Sequence, residues 1–358
     1  MITAEPGPID QTLATAEVLV MAGAGGVGKT TMAAALGVRA AQRHGRRVVV
    51  VTVDPARRLA EALGVSRLTE EPVLVPVGEG TGRLWMLMVD MARSWDDLVN
   101  NHAPDREVGE RLLANGLYRT LTRRFVQSHD YIALDHLLAL SERDRYDLVI
   151  VDTPPSRHAL DLFDAPGRMI DFFESRLLRW LTAGAGSGLT AVAAKPFLMV
   201  AERLLGHDFL AQITEFFTLF SKLRPAFVAR ARAVEERLTD SATNYVVVAT
   251  TDPLVVAGSQ QMVDELDRRD LSPGLVVINR FVPTLRLVDG PDLEARFTIA
   301  DFEELENPSL RDSVTQLLDQ AAVARLPISA GGCPIVAVPW KADDLTDLDA
   351  LAGLLSDR

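Results

Sequence analysis

At 358 residues and 48% hydrophobic content, the chain can form one large α/β domain or two ordinary ones, with ample material for a core. Its 37 basic and 49 acidic residues leave a net charge of −12, which argues against nonspecific nucleic-acid binding and against direct docking on an anionic membrane. A single cysteine, Cys333, excludes an intramolecular disulfide and any Cys-x-x-Cys metal site.

Residues 1–14 carry Pro6, Gly7 and Pro8 and lack an apolar stretch, so they read as a flexible tail rather than a signal peptide. With no run of about 18 apolar residues to span a bilayer, the expected location is the cytoplasm. Short β-branched runs separated by helical patterns then follow. Strands are expected at 18–23, 47–54, 83–90, 146–152, 244–251, 274–280 and 334–339. Most are apolar without alternation, as parallel strands covered on both faces must be. The fold class is therefore α/β, a mostly parallel sheet flanked by helices.

Two blocks interrupt this rhythm. Residues 93–145 and 168–240 show helical spacing without strand signals and are read as an inserted all-helical subdomain, with a loop of small residues at 182–194. The nucleotide-binding core then comprises 15–92, 146–167 and 241–358, within a single domain over 15–358. The acidic stretch 301–313 reads as a solvated surface helix. His129 and His136, seven apart, are read as packing or surface residues rather than metal ligands.

The strongest signal is the stretch VLVMAGAGGVGKTT, residues 18–31, an apolar strand running into G-x-x-x-x-G-K-[ST]. A helical pattern follows, ending at Gly45. Glycines let the loop's backbone N–H groups curl around a phosphate, at a helix N-terminus whose dipole favours anions. Lys29 would neutralise β- and γ-phosphate oxygens, and the hydroxyl of Thr30 would hold Mg²⁺.

Two aspartates end other expected strands. Asp54 closes VVVVTVD and precedes Pro55; it could orient the attacking water or contact hydrated Mg²⁺, although Asp-Pro is also a common turn opener. Asp152 closes DLVIVD, where a carboxylate can bind a Mg²⁺ water. Beyond it, Pro154 and Pro155 stiffen the exit, and Ser156, Arg157 and His158 could respond to a γ-phosphate. For the base, WKAD at 340–343 lacks the Asn or Thr of a guanine-reading [NT]-K-x-D. Asn279 ends a strand, where its amide could pair with adenine or simply close a turn.

Nine of the thirteen phenylalanines lie between Phe163 and Phe227. Phe209, Ile213, Phe216 and Phe220 share one helical face, which fits an apolar client segment, the subdomain's own core or a dimer contact.

The phosphate loop, Asp54-Pro55-Ala56, VDTPPSRHALDLF, VVINR and VAVPW, in this order, resemble the arsenical-pump and tail-anchored-protein-targeting ATPase family, in the deviant-Walker-A branch of P-loop NTPases. The stretches 96–121 and 152–166 resemble its bacterial, actinobacterial-type members. The resemblance implies an ATP- and Mg²⁺-dependent hydrolase working as a nucleotide-gated dimer, homodimer or heterodimer with a paralogue, on a protein or other apolar client. It also implies that Gly25, Gly26, Val27, Gly28, Lys29, Thr30 and Thr31 line the phosphates, with Thr30 on Mg²⁺. Asp54 would then position the hydrolytic water, Asp152 would serve the metal, and Asn279 with the segment from Pro339 would hold adenine. Membranes would be reached only indirectly. Arsenite-binding cysteines and a zinc clamp are absent.

The lysine that the branch carries after the first loop glycine is also missing: Ala24 stands there. Arg57, Arg58 or Arg157, or a paralogue's lysine, could replace it, or the site turns over slowly. A partition or Min-type positioning ATPase acting on DNA or membrane is the other class of function, disfavoured by the acidic C-terminus DDLTDLDALAGLLSDR.

Overall fold

The computed structural model describes residues 7–52, 69, 71–78, 80–124, 129–142, 144–153, 161–175, 207–271, 273–281, 284–288, 294–298, 332–339, 350–351 and 353–355. In chain order the strands are β1 (Val18–Ala22), β2 (Arg47–Thr52), β3 (Val73–Val75), β4 (Arg83–Met88), β5 (Leu148–Asp152), β6 (Thr243–Ala249), β7 (Pro273–Phe281), β8 (Thr284–Val288), β9 (Glu294–Thr298) and β10 (Ile335–Pro339). The helices are α1 (Pro8–Thr15), α2 (Lys29–His44), α3 (Met91–His102), α4 (Arg106–Ala114), α5 (Gly116–Arg124), α6 (His129–Ser141), α7 (Asp161–Glu174), α8 (His207–Lys222), α9 (Arg224–Leu238) and α10 (Pro253–Arg268). The chain divides into two compact units, one formed by Met1–Met88, Leu140–Leu160 and Thr239–Arg358, the other by Val89–Ala139 and Asp161–Leu238.

The first unit is built on an eight-stranded sheet ordered β10-β7-β6-β1-β5-β2-β4-β3. Every pairing is parallel except β3 with β4. The sequence explains the central strands: β1 and β5 are buried at every position, and β2 at all but its first. Each fully buried Val, Leu or Ile contributes about 1.5–3 kcal/mol, so these apolar runs are stable only when covered on both faces. Helix α2 supplies cover with a band of alanines, Ala33–Ala35 and Ala40–Ala41, packed with Met32, Leu36 and Val38 into one core with Val48, Val50, Leu84 and Ile150. A separate hairpin pairs β8 with β9 antiparallel.

The flexible tail expected over residues 1–14 is not what the chain forms at residues 8–15, which make helix α1. Its Ile9 and Leu13, one turn apart, are fully buried. Asp10 accepts from Arg39 through both carboxylate oxygens, at 2.8 Å each. The partners that order this helix lie about thirty residues further on. Arg46 adds donations to the carbonyls of Leu13 and Ala16 at 2.6 Å, tying the end of α1 to the start of β1.

Among its described residues, the second unit has helices as its only regular secondary structure. Helix α6 is its most buried element, with Tyr131, Ile132, Ala133, Leu134, Leu137 and Leu138 all buried. Trp95 stacks on Tyr131 and Phe227 at 6.4 and 6.1 Å, and Phe220 stacks on Phe173 and Phe216 at 5.0 and 5.3 Å. Phe216 and Phe220 are thus packed inside the unit, while Phe172 remains 40% exposed. A half-sheltered ion pair, Arg230 Nε to Asp135 at 2.6 Å, joins α9 to α6.

Candidate functional site

Because β1, β2, β5, β6 and β7 run parallel, their carboxyl ends share one edge of the sheet, where open α/β folds bind ligands. The turn from β1 to α2, residues 23–28, stands on this edge. Gly23 sits so close to β6 that a Cβ there would lie 2.3 Å from the carbonyl oxygen of Val248. No side chain fits in that space, so β1 and β6 approach at the exit of β1 only through glycine. At the other end of the turn, Gly28 is the N-cap of α2, with φ 96 and no side-chain cap. The first N–H groups of α2 are therefore left without a capping side chain and aim their partial positive charge at the loop.

Lys29 follows. Only 6% of it is exposed, and its Nζ donates to the carbonyl oxygens of Gly23 at 2.9 Å and Ala24 at 3.0 Å. An ammonium is thereby held inside the curve of the loop. Gly25 and Gly26 are exposed, Val27 is buried, and Thr30 and Thr31 are half-buried on the first turn of α2. Ala24 is half-buried with its methyl packed on the core, so this position serves packing and, through its carbonyl, the lysine.

Asp152 ends β5 one strand away, in register with Met21 of β1 and Thr52 of β2. It is 2% exposed, and its Oδ2 accepts from the hydroxyl of Thr52 at 2.9 Å. The next residue, Thr153, donates from Oγ1 to the carbonyl of Met21 at 2.7 Å, pinning the exit of β5 to the end of β1. Asn279, near the end of β7, reaches the loop itself: its Nδ2 donates to the carbonyl of Val27 at 2.8 Å. Pro339 ends β10, the edge strand, and pairs with Phe281 of β7.

The structure thus gathers the phosphate loop, Lys29, Thr30, Asp152 and Asn279 on one sheet edge. Asp54, Arg57, Arg58 and Arg157 lie outside the described residues. Three contributors were not anticipated from sequence: Thr52, Thr153 and the backbone of Arg280, which adopts φ 55. A threonine before or after a strand-terminal aspartate is a faint signal, and a left-handed arginine leaves none. Cys333, just before β10, is half-buried, and burial pushes its thiol up to about 11, which disfavours the thiolate.

The donor set suits a magnesium nucleotide. Hydroxyl and carboxylate oxygens of Thr30 and Asp152 are hard ligands, and Mg²⁺ typically takes one or two such groups plus phosphates and water rather than a full protein cage. Among the described residues, no cluster of three or more His, Cys, Asp or Glu forms. Nor is any described helix long and apolar enough to cross a membrane.

Comparison with known proteins identifies the family. Residues 16–328 match the family described as anion-transporting ATPase. An ATPase ASNA1 homolog of Entamoeba histolytica is 23% identical over 280 residues, 76% of this chain and 78% of its own. ATPase GET3A of Arabidopsis thaliana is 23% identical over 307 residues, 86% of this chain and 76% of its own. A putative arsenical pump-driving ATPase of Halobacterium salinarum is 29% identical over 189 residues, half of this chain and 27% of its own. The family match begins before β1 and runs past the β8–β9 hairpin, taking in the phosphate loop and both helical segments, so the chain belongs to the anion-transporting ATPase family of P-loop NTPases and is an ATP-hydrolysing enzyme.

Proposed function

We propose that the chain hydrolyses ATP with Mg²⁺ at the edge formed by β1, β5 and β7, and that hydrolysis gates a dimer acting on an apolar protein client. The seating of Lys29 carries the nucleotide reading. Its ammonium is held by two carbonyls within the loop, beside a helix N-terminus without a side-chain cap. Anionic oxygens of a polyphosphate would find fixed positive charge there at little reorganisation cost. When bound, Mg²⁺ would neutralise charge on the β- and γ-phosphates. Thr30 and Asp152 are the residues to hold it, Asp54 to orient water, and Asn279 with Pro339 to line the adenine side.

The dimer and the client rest on membership of the family and on the aromatic helical unit. The stretches at 96–121 and 152–166 further support a place near the family's bacterial members. A homodimer and a pairing with a paralogue both fit; which of them forms depends on what replaces a loop lysine at Ala24. The acidic charge of −12 disfavours a positioning ATPase on DNA or lipid.

The test is ATP turnover by purified protein with Mg²⁺, with chelator, and with GTP. Mg²⁺-dependent ATP hydrolysis that Lys29→Ala abolishes is expected. Comparable turnover of GTP would remove the adenine assignment, and turnover surviving Lys29→Ala would remove the site. Co-sedimentation with DNA and with liposomes in the presence of ATP tests the alternative.

A further inference from the structure

Asn279 touches the phosphate loop more closely than an adenine contact requires. It is 7% exposed. Its Nδ2 donates to Val27 O at 2.8 Å, and its Oδ1 accepts from the backbone N–H of Arg280 at 2.9 Å. Both ends of the amide are thereby oriented by the protein, and the flip is settled by which end donates. The next residue, Arg280, adopts φ 55, a left-handed conformation uncommon outside glycine. From the loop side the fit is equally close. A Cβ on Gly28 would stand 2.3 Å from Nδ2, so residue 28 is shaped around this amide.

Peptide planarity gives the contact a consequence. The Val27 carbonyl and the Gly28 N–H belong to one rigid trans plane and point in opposite directions. Holding the carbonyl against Asn279 turns the N–H the other way and keeps a carbonyl oxygen from swinging toward an anion in the loop.

We propose that Asn279 is a positioning residue for the phosphate loop: its amide braces the Val27–Gly28 peptide from β7, and polyphosphate binding depends on that brace whatever base is attached. This rests on the nucleotide reading of the loop and deepens it. An amide has two N–H groups and two acceptor sites, so bracing the loop leaves capacity to meet a base as well.

Inorganic tripolyphosphate, which has no base, separates the two roles. Binding of Mg-ATP, Mg-GTP and tripolyphosphate is measured by calorimetry for wild type, Asn279→Ala and Asn279→Asp. The aspartate keeps the shape of the side chain but replaces the donor with an oxygen facing Val27 O, and thermal melting checks that each variant is folded. A brace predicts that both variants lose affinity for all three ligands by a similar factor, about ten-fold or more. Loss confined to ATP, with tripolyphosphate bound as by wild type, would overturn the proposal in favour of base contact alone, as would unchanged binding of all three. Wild type that binds none of them would overturn the nucleotide reading together with the brace.

Discussion

Thr52 and Asp152 face each other across β2 and β5, and the threonine hydroxyl donates to Oδ2 of the carboxylate at 2.9 Å, both residues being buried. The bond orients the carboxylate proposed to serve the metal. It also ties that carboxylate to the strand leading into Asp54. Thr52→Val keeps the shape and removes the donor, at a cost of about 1–3 kcal/mol in stability. Turnover titrated with Mg²⁺ at saturating ATP should then need several-fold more metal for half-maximal rate, and Thr52→Ser should restore the wild-type midpoint. An unchanged midpoint in Thr52→Val would leave Thr52 a packing residue.

Asp10 gives a pH-dependent term. The hydrogen bonds from Arg39 hold its carboxyl down to about 2 from an ordinary 3.8, against the opposing effect of burial and with help from His44. Because the folded value is depressed, the stabilisation is complete above about pH 4 and fades as the pH falls toward about 2. The shift corresponds to about 2 kcal/mol. Asp10→Asn should therefore melt earlier than wild type at pH 7, with the gap narrowing in that acidic window. A gap independent of pH would mean that the charge of Asp10 does not stabilise α1.

Asp54→Asn should preserve ATP binding while slowing single-turnover hydrolysis by about a hundred-fold or more, if the carboxylate orients the attacking water. The amide keeps the shape and loses the charge. A wild-type rate in this variant would make Asp54-Pro55 an ordinary turn.

The helical unit separates core from surface. Phe220 is buried among Phe173, Phe216 and Phe227, so Phe220→Ala should cost about 3–5 kcal/mol in stability. Phe172, at 40% exposure, should cost far less when truncated, and should weaken capture of an apolar peptide if this end of the cluster meets a client. Hydrogen exchange over 93–145 and 168–240, with and without a non-hydrolysable ATP analogue, is expected to differ between states. Identical protection would make these helices a passive core.

Much of this was legible in the sequence because it is locally encoded. Apolar runs such as LVIVD announce strands covered on both faces, and GAGGVGKT announces a strand-to-helix turn that cradles phosphate. What escaped was stabilised at a distance. Helix α1 is short and proline-flanked, and forms because Arg39 and the sheet unit's core receive Asp10, Ile9 and Leu13. Strand β3 is three residues long and pairs antiparallel with β4 at the sheet edge; strands of that length carry no period. The β8–β9 hairpin hides charged residues among its apolar ones. At the site, the residue types were readable but their partnerships were not: nothing in VVINR says that Asn279 reaches Val27.

Ala24 leaves the sharpest chemical question. Where the family branch has a lysine reaching across a dimer to the partner's phosphates, this chain has a methyl packed on its core and a carbonyl that accepts from Lys29 at 3.0 Å. Neither can cross to a partner's phosphate. Arg57 and Arg58 follow the first aspartate and Arg157 follows the second, and a guanidinium can grip phosphate oxygens bidentately, contributing about 10³–10⁵ in rate when it acts as a finger. Single-turnover hydrolysis by the purified chain alone should therefore fall sharply in one of Arg57→Ala, Arg58→Ala or Arg157→Ala, with ATP affinity unchanged. Introducing the missing charge by Ala24→Lys should partly rescue that variant, because the lysine would supply the same positive charge from the other side of the site. If no arginine matters and wild type accelerates only when a second ATPase of the family is added, the charge comes from a partner, and the working assembly is a heterodimer.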